Sequence, residues 1–400
     1  MTRAFVIAPA LPLPTYGGNL LRWWQNVVAL SAAGPVGVFG LRADEPVPPP
    51  RDGIEVWSSS SDPSLTDHAR LNSLDWLRDP VAVPWDAYYS TGALAELEDV
   101  IERFRPDVVV VEEMRLYRYV EPLTGRGWRV VIDASAIESE LSRDLAARSS
   151  RAAAVVRTAL AERSEAIEAA TYRSVDQVWV CSQGDAESVR TRLGDAASIV
   201  LVPNTIDVDA YRRDQPYRAR STMMFPAMFA FTPNEAAALF LAREVVPRLA
   251  KSFDGLRLML VGQNPTPAML DAAECDPRVS VTGTVPDVRP YLAEAGAMPI
   301  PLFDGTGTRL KALEAFAAGV PVVSTSKGVE GLDAEAGTHF LHAEDADEFV
   351  AALTRLWSEP ATASRLVERA RSFVAERYSW DVARRAVGQA LERLAPASAR

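Results

Sequence analysis

Residues Val108, Val109, Val110 and Val111 form an unbroken run of four valines. A strand with one wet face would alternate apolar and polar residues. A continuous β-branched run fits a strand covered on both faces, as in a parallel sheet with helices on each side. Similar short runs recur at Phe5–Ala8, Val36–Leu41, Ile54–Trp57, Val130–Ile132, Gln177–Val180 and Ile199–Val202. Segments of helical spacing lie between them, including 19–32 and a long one from Ile137 to Arg173. The first half therefore predicts a doubly wound α/β domain.

After Pro203-Asn204-Thr205-Ile206-Asp207 the chain turns polar and arginine-rich from Val208 to Arg220, with no clear period, which predicts a linker. The alternation then restarts at Met223–Phe225, Arg257–Val261, Val279–Thr282, Met298–Leu302, Val320–Ser324 and Phe340–Leu341. Helices are expected at Glu235–Ala250 and Leu310–Ala318, and from Glu344 to Leu394 with a break at Tyr378-Ser379-Trp380. A chain of 400 residues is long for one core, and two α/β halves of similar size account for it.

Composition narrows the partners. The net charge of −11 repels a phosphate backbone, so nucleic acid is excluded as an expected partner. An anionic ligand has to be held by a local set of cations and backbone N–H groups. Cys181 and Cys275 are too far apart for a metal-ligand spacing, and His68, His339 and His342 form no cluster, so no metal site is expected. With no disulfide framework, a reducing, cytoplasmic setting is the expectation. Phe5–Ala8 is short and followed by Pro9, Pro12 and Pro14, and it reads as a first strand rather than a signal peptide. No apolar run reaches the ~18 residues of a membrane span.

In doubly wound sheets, ligands bind at the turns that follow the strands. The most informative such turn is Gly305-Thr306-Gly307-Thr308-Arg309-Leu310-Lys311, which runs from a strand into a helix. A helix start offers unpaired N–H groups and the positive end of a dipole, suited to phosphate. Arg309 and Lys311 place two cations there. Alone they oppose the dipole, and a bound diphosphate reverses that sign. Glu314 lies on the same face three residues beyond Lys311, where it can accept from the two hydroxyls of a ribose or simply pair with Lys311.

In the first half, Gly17-Gly18 precedes a helix carrying Arg22, and either lets a ligand approach or serves only to reverse the chain. Near Val285 the backbone of Thr282-Gly283-Thr284-Val285-Pro286-Asp287 can face a base edge, while Asp287 itself reads as a helix cap. Asp133 and Ser135 follow a strand of the first half. Asp133 could bind a hydroxyl-bearing acceptor or cap a helix.

Together these segments resemble the retaining glycosyltransferases of family four over nearly the whole chain. The matching pieces are Pro14 to Arg22, then Val178-Trp179-Val180-Cys181-Ser182-Gln183-Gly184-Asp185, and Val202 to Asp207 at the junction. In the second half they are Leu260-Val261-Gly262, Thr282 to Asp287, and the most specific run, Lys311 to Val323. Tyr378-Ser379-Trp380 is similar to the point where the last helix crosses back to the first domain.

The resemblance implies a GT-B fold, two Rossmann-like domains facing a cleft. One would span residues 1–205 with the helix 379–400 crossing back, and the other 206–378. It implies metal-independent hexosyl transfer from a nucleoside-diphosphate sugar to a hydroxyl acceptor with retention, and no cofactor. By position, Arg309 and Lys311 would be catalytic. Gly17, Gly18, Val285, Thr306, Gly307, Thr308 and Glu314 would bind the donor, with Arg22, Asp133 and Ser135 on the acceptor side. The acceptor would be a small molecule, a saccharide or a lipid-linked sugar, the last bringing peripheral membrane contact.

Three departures stand out. The family's pair of glutamates is incomplete, because its first member falls at Thr306. The Arg/Lys pair of the second domain is missing from Pro226–Asn234, and a frequent histidine appears as Ser135. These departures keep a rival in view, a non-catalytic GT-B protein that binds nucleotide sugar or supports a partner. A nucleotide-sugar epimerase would need more cleft carboxylates and histidines than these turns contain.

Overall fold

The computed structural model describes residues 1–12, 18–42, 53–60, 74–147, 149–193, 198–212, 217, 220–304 and 309–394. The chain forms two compact units. The first is drawn from Asn19–Pro203, with the opening residues and the stretch from Ala383 onward, and the second from Asn204–Val382.

Among the described residues the first unit holds seven strands: β1 (Ala4–Ala8), β2 (Val36–Gly40), β3 (Ile54–Ser58), β4 (Val108–Glu112), β5 (Val130–Ala134), β6 (Gln177–Val180) and β7 (Ile199–Leu201). They form one sheet in the order β3-β2-β1-β4-β5-β6-β7, and all pairs are parallel. All four valines at 108–111 are buried, as a strand covered on both faces requires. On one face, Phe5 meets Trp57 of β3 at 5.8 Å and Phe104 of the helix Thr91–Phe104 at 5.5 Å between ring centroids. That helix starts where the Ser90 side chain accepts from the Ala93 amide, and it ends at Arg105 in the left-handed region.

The long helix expected over 137–173 is two helices, Glu138–Ala147 and Arg151–Ser174. The serines between them account for the break. Ser150 leaves the helical region, with φ −57° and ψ 154°, as the residue that precedes the second helix.

The second unit carries β8 (Thr222–Pro226), β9 (Arg257–Val261), β10 (Val279–Val281), β11 (Met298–Ile300), β12 (Val322–Ser324) and β13 (Leu341–His342). The ladders run β10-β9-β8 and β11-β12-β13, and a parallel bridge between Met223 and Ala297 joins them. The combined order, β10-β9-β8-β11-β12-β13, is that of a dinucleotide-binding sheet. Its direction of winding reverses between β8 and β11.

Close approach matters at Gly262, just past β9. Its φ is +146°, and an added Cβ would lie 1.8 Å from the Ala227 carbonyl oxygen. The helix expected over 235–250 begins at Thr232–Phe240 and passes through one π-helical turn, Leu241–Val245. Pro247 follows that turn. A proline lacks the N–H of a regular turn and crowds the carbonyl four residues back, so the wider turn accommodates it. The C-terminal stretch is three helices, Ala346–Ser358, Pro360–Arg377 and Trp380–Leu394. The extra break falls at Pro360, in the first turn of its helix, where a missing N–H costs nothing. Among the described residues no helix is long and apolar enough to cross a membrane.

Candidate functional site

In the second unit, the reversal of the sheet lies at the carboxyl ends of β8 and β11, and each strand there leads to a helix. The helix after β8 is Thr232–Phe240, and the helix after β11 is Leu310–Ala318. Lys311, in the first turn of the second helix, donates from Nζ to Asn234 Oδ1 of the first at 2.9 Å. The same ammonium lies 4.4 Å from the ring centre of Phe225 on β8. Asn234 is held in turn by donating to the Met228 carbonyl at 2.9 Å. A cation is thus fixed in the crevice that this sheet order creates.

Burial, with repulsion from Arg309, pushes the Lys311 ammonium down to about 7. An arriving anion would restore its charge. Arg309 precedes the helix and supplies no side-chain cap to it. Its guanidinium is buried, donating from Nε to the Lys327 carbonyl at 2.9 Å and lying 3.5 Å from Glu330. Glu314 is also buried, one turn along. Burial pushes its carboxyl up to about 7, opposed by a hydrogen bond from Tyr211 and by the charge of Lys311. The bond from Tyr211 Oη to Glu314 Oε1 measures 2.8 Å. Lys311 is bonded to Asn234, so among the described residues the simple Lys311–Glu314 surface pair does not form.

Gly17, Thr306, Gly307 and Thr308 lie outside the described residues. Gly18 opens the helix Gly18–Ser31. Val285 is buried, beyond Gly283 at φ +70°. Asp287 accepts from the Arg289 amide at 2.9 Å and pairs with the Arg289 side chain, but the residue that precedes the helix Arg289–Glu294 is Val288, so Asp287 stands one residue too early to be its cap.

In the first unit, Arg22 grips Asp133 through two bonds, 2.7 Å to Oδ2 and 2.5 Å to Oδ1, and donates to the Val202 carbonyl at 3.1 Å. Both residues are essentially sealed, at 1% and 0% exposure. In this arrangement the two side chains named for the acceptor side are bonded to each other. The pair ties the helix Gly18–Ser31 to β5 and to the chain after β7. Ser135 is half-buried, and its carbonyl accepts from the Cys181 thiol at 3.3 Å.

Beside this pair, Asn26 donates to both oxygens of Glu112 at 3.0 and 3.2 Å. Glu112 is pushed well up by burial and by Asp133. Asn19 donates to Glu113 Oε1 at 2.6 Å across the reversal between β1 and β4. Glu113 holds a left-handed φ of +73° without being glycine.

Sequence reasoning missed Asn234, Phe225, Tyr211 and Glu113. Two of them were within reach. Asn234 closes the segment Pro226–Asn234 that lacks the Arg/Lys pair, and Tyr211 lies four residues past the junction aspartate. The placement of Phe225 and Glu113 depends on strand neighbours that spacing does not give. Among the described residues no three His, Cys, Asp or Glu side chains gather as a metal site.

The seven-stranded parallel sheet of the first unit and the dinucleotide-binding strand order of the second are the two halves of a GT-B fold. Two family models match the chain: the glycosyl transferase 4-like domain over residues 19–205 and glycosyl transferases group 1 over residues 220–359. The chain belongs to this group 1, family-four set of glycosyltransferases. No curated protein sequence matches it.

Solved structures share the fold. Sucrose-phosphate synthase from Thermosynechococcus elongatus superposes with a TM-score of 0.76 at 17% identity, covering 100% of each chain. HepE from Anabaena, in complex with UDP and glucose, gives 0.67 at 12% identity, over 98% of this chain and 100% of its own. A glycosyltransferase from Rickettsia africae gives 0.64 at 10% identity, over 99% of each.

Proposed function

We propose that this chain transfers a hexosyl group from a nucleoside-diphosphate sugar to a hydroxyl acceptor, with retention and without a metal ion. The observation that carries the reading is Lys311, fixed by Asn234 at the start of the helix Leu310–Ala318. The HepE structures, solved with UDP and with UDP-glucose, support a donor of that type.

Lys311 and Arg309, with the amides at the helix start, meet the negative charge of the diphosphate. Glu314 accepts from the ribose hydroxyls, and backbone near Val285 reads the base. As the bond from the anomeric carbon to the diphosphate oxygen lengthens, the acceptor oxygen bonds to that carbon on the same face. The acceptor's proton passes to a phosphate oxygen of the leaving group. The protein acts mainly by stabilising charge that grows on the diphosphate. The acceptor is a small molecule, a saccharide or a lipid-linked sugar.

The test is thermal stabilisation by UDP, GDP, ADP, TDP and CMP without added metal, repeated on Lys311→Ala. Selective stabilisation by one nucleotide, lost in the variant, is the expected result. No stabilisation by any of the five would sink the reading.

A further inference from the structure

Tyr211 ends the short helix Val208–Tyr211, and three contacts fix where it stands. Asp207 caps that helix by accepting from the Ala210 amide at 3.1 Å. Arg289 reaches the Ala210 carbonyl at 3.4 Å while paired with Asp287. The phenol then donates to Glu314 Oε1 at 2.8 Å. Tyr211 also lines a cavity of about 160 Å³, together with Ala210, Arg212, Arg289 and Leu292. The hydrogen bond to Glu314 holds the tip of the ring.

A carboxylate has about four lone-pair sites on its two oxygens. The phenol uses one of them on Oε1, and among the described residues no other hydrogen bond reaches the carboxylate, which leaves Oε2 and the remaining sites to accept from a ligand. A donor on one oxygen also stops the carboxylate from swinging about its terminal torsion, which is broad and soft when unsupported. We propose that Tyr211 is a positioning residue of the ribose seat, holding Glu314 so that its remaining lone pairs meet the two ribose hydroxyls. This rests on the donor-binding role of Glu314 given above. It also gives the junction residue Asp207 a purpose, since its cap sets the helix that presents Tyr211.

A purely structural phenol would affect all nucleotides alike, whereas a positioning phenol affects only those carrying the hydroxyls. The experiment measures UDP and 2′,3′-dideoxy-UDP binding by calorimetry to wild type, Tyr211→Phe and Glu314→Ala, with the GDP or ADP pair substituted if that base binds. Phenylalanine keeps the ring and its packing. The expected result is that Tyr211→Phe weakens the ribonucleotide by about tenfold and leaves the dideoxy form unchanged. Glu314→Ala abolishes the preference for the ribonucleotide altogether. If Glu314→Ala removes the preference and Tyr211→Phe keeps it whole, the role of Tyr211 is overturned alone. If Glu314→Ala keeps the preference, the ribose reading of Glu314 falls and the Tyr211 proposal falls with it.

Discussion

Lys311 Nζ and Asn234 Oδ1 lie 2.9 Å apart, and this one bond joins the two helices that flank the winding reversal of the second sheet. The amide oxygen orients the ammonium without neutralising it. Asn234→Asp should change that. A carboxylate at the same place would raise the Lys311 pKa from its present value of about 7 and compete with an incoming phosphate. Nucleotide affinity should fall several-fold at neutral pH, while its loss on the alkaline side moves to higher pH. Calorimetric titrations of the variant across pH check both shifts.

The pH dependence of the unaltered protein follows from two displaced groups. Glu314, raised to about 7, becomes a carboxylate and gains the ability to accept from a ribose as pH rises through that value. Lys311, lowered to about 7, loses its charge as pH rises through the same region. Nucleotide affinity should therefore peak near neutrality and fall on both sides. Lys311→Arg, always charged, should remove the alkaline fall, and Glu314→Gln the acid one. A flat profile in the wild type would overturn the assignment of both limbs.

Lys311→Ala and Glu314→Ala should each cut transfer strongly, on the order of 10²–10³-fold for loss of charge stabilisation at Lys311. Neither should unfold the protein. Each variant removes a group whose charged form burial disfavours, so melting temperatures should match or exceed the wild type. Steady-state rates and thermal melts, run side by side, separate the two effects.

The Arg22–Asp133 pair makes the opposite prediction. Both side chains are sealed, so Asp133→Ala leaves a guanidinium buried without its partner and should cost roughly 3–5 kcal/mol. Replacing both by apolar residues of similar size should cost much less. Denaturant unfolding of the single and double variants measures the difference.

Gly262→Ala should also destabilise, by about 2–4 kcal/mol, because the new Cβ would sit 1.8 Å from a backbone oxygen that cannot turn aside. A wild-type unfolding midpoint would show that the backbone there gives way.

The fold was legible because its strands are covered on both faces. Runs such as Val108–Val111 announce that covering directly, and the restart after Arg220 marks a second sheet. Helix ends were read less well. The breaks at Ser150 and Pro360 and the wide turn before Pro247 come from single residues inside otherwise helical spacing. At the site, Arg309, Lys311 and Glu314 stood out because charge at a helix start needs a reason. Asn234 and Tyr211 did not, since a neutral amide and a phenol become informative only when the strand order brings them to Lys311 and Glu314. Asp133 shows the same limit. Its position after a strand suggested a ligand, and only the arrival of Arg22 from the first helix shows what its carboxylate is occupied with.

The helix Trp380–Leu394 has a consequence for how the molecule is made. Gln177, on β6, donates from Nε2 to the Ala390 carbonyl at 2.9 Å, and the chain from Ala383 onward belongs with the first unit. The second unit is nearly continuous in sequence, whereas the first draws on stretches from far apart. A ribosome working from the amino terminus has to complete almost all of this sequence before the first unit can be finished. The half begun first is closed last, and a protein stalled near Val382 would carry an unfinished amino-terminal half beside a carboxyl-terminal half already able to fold.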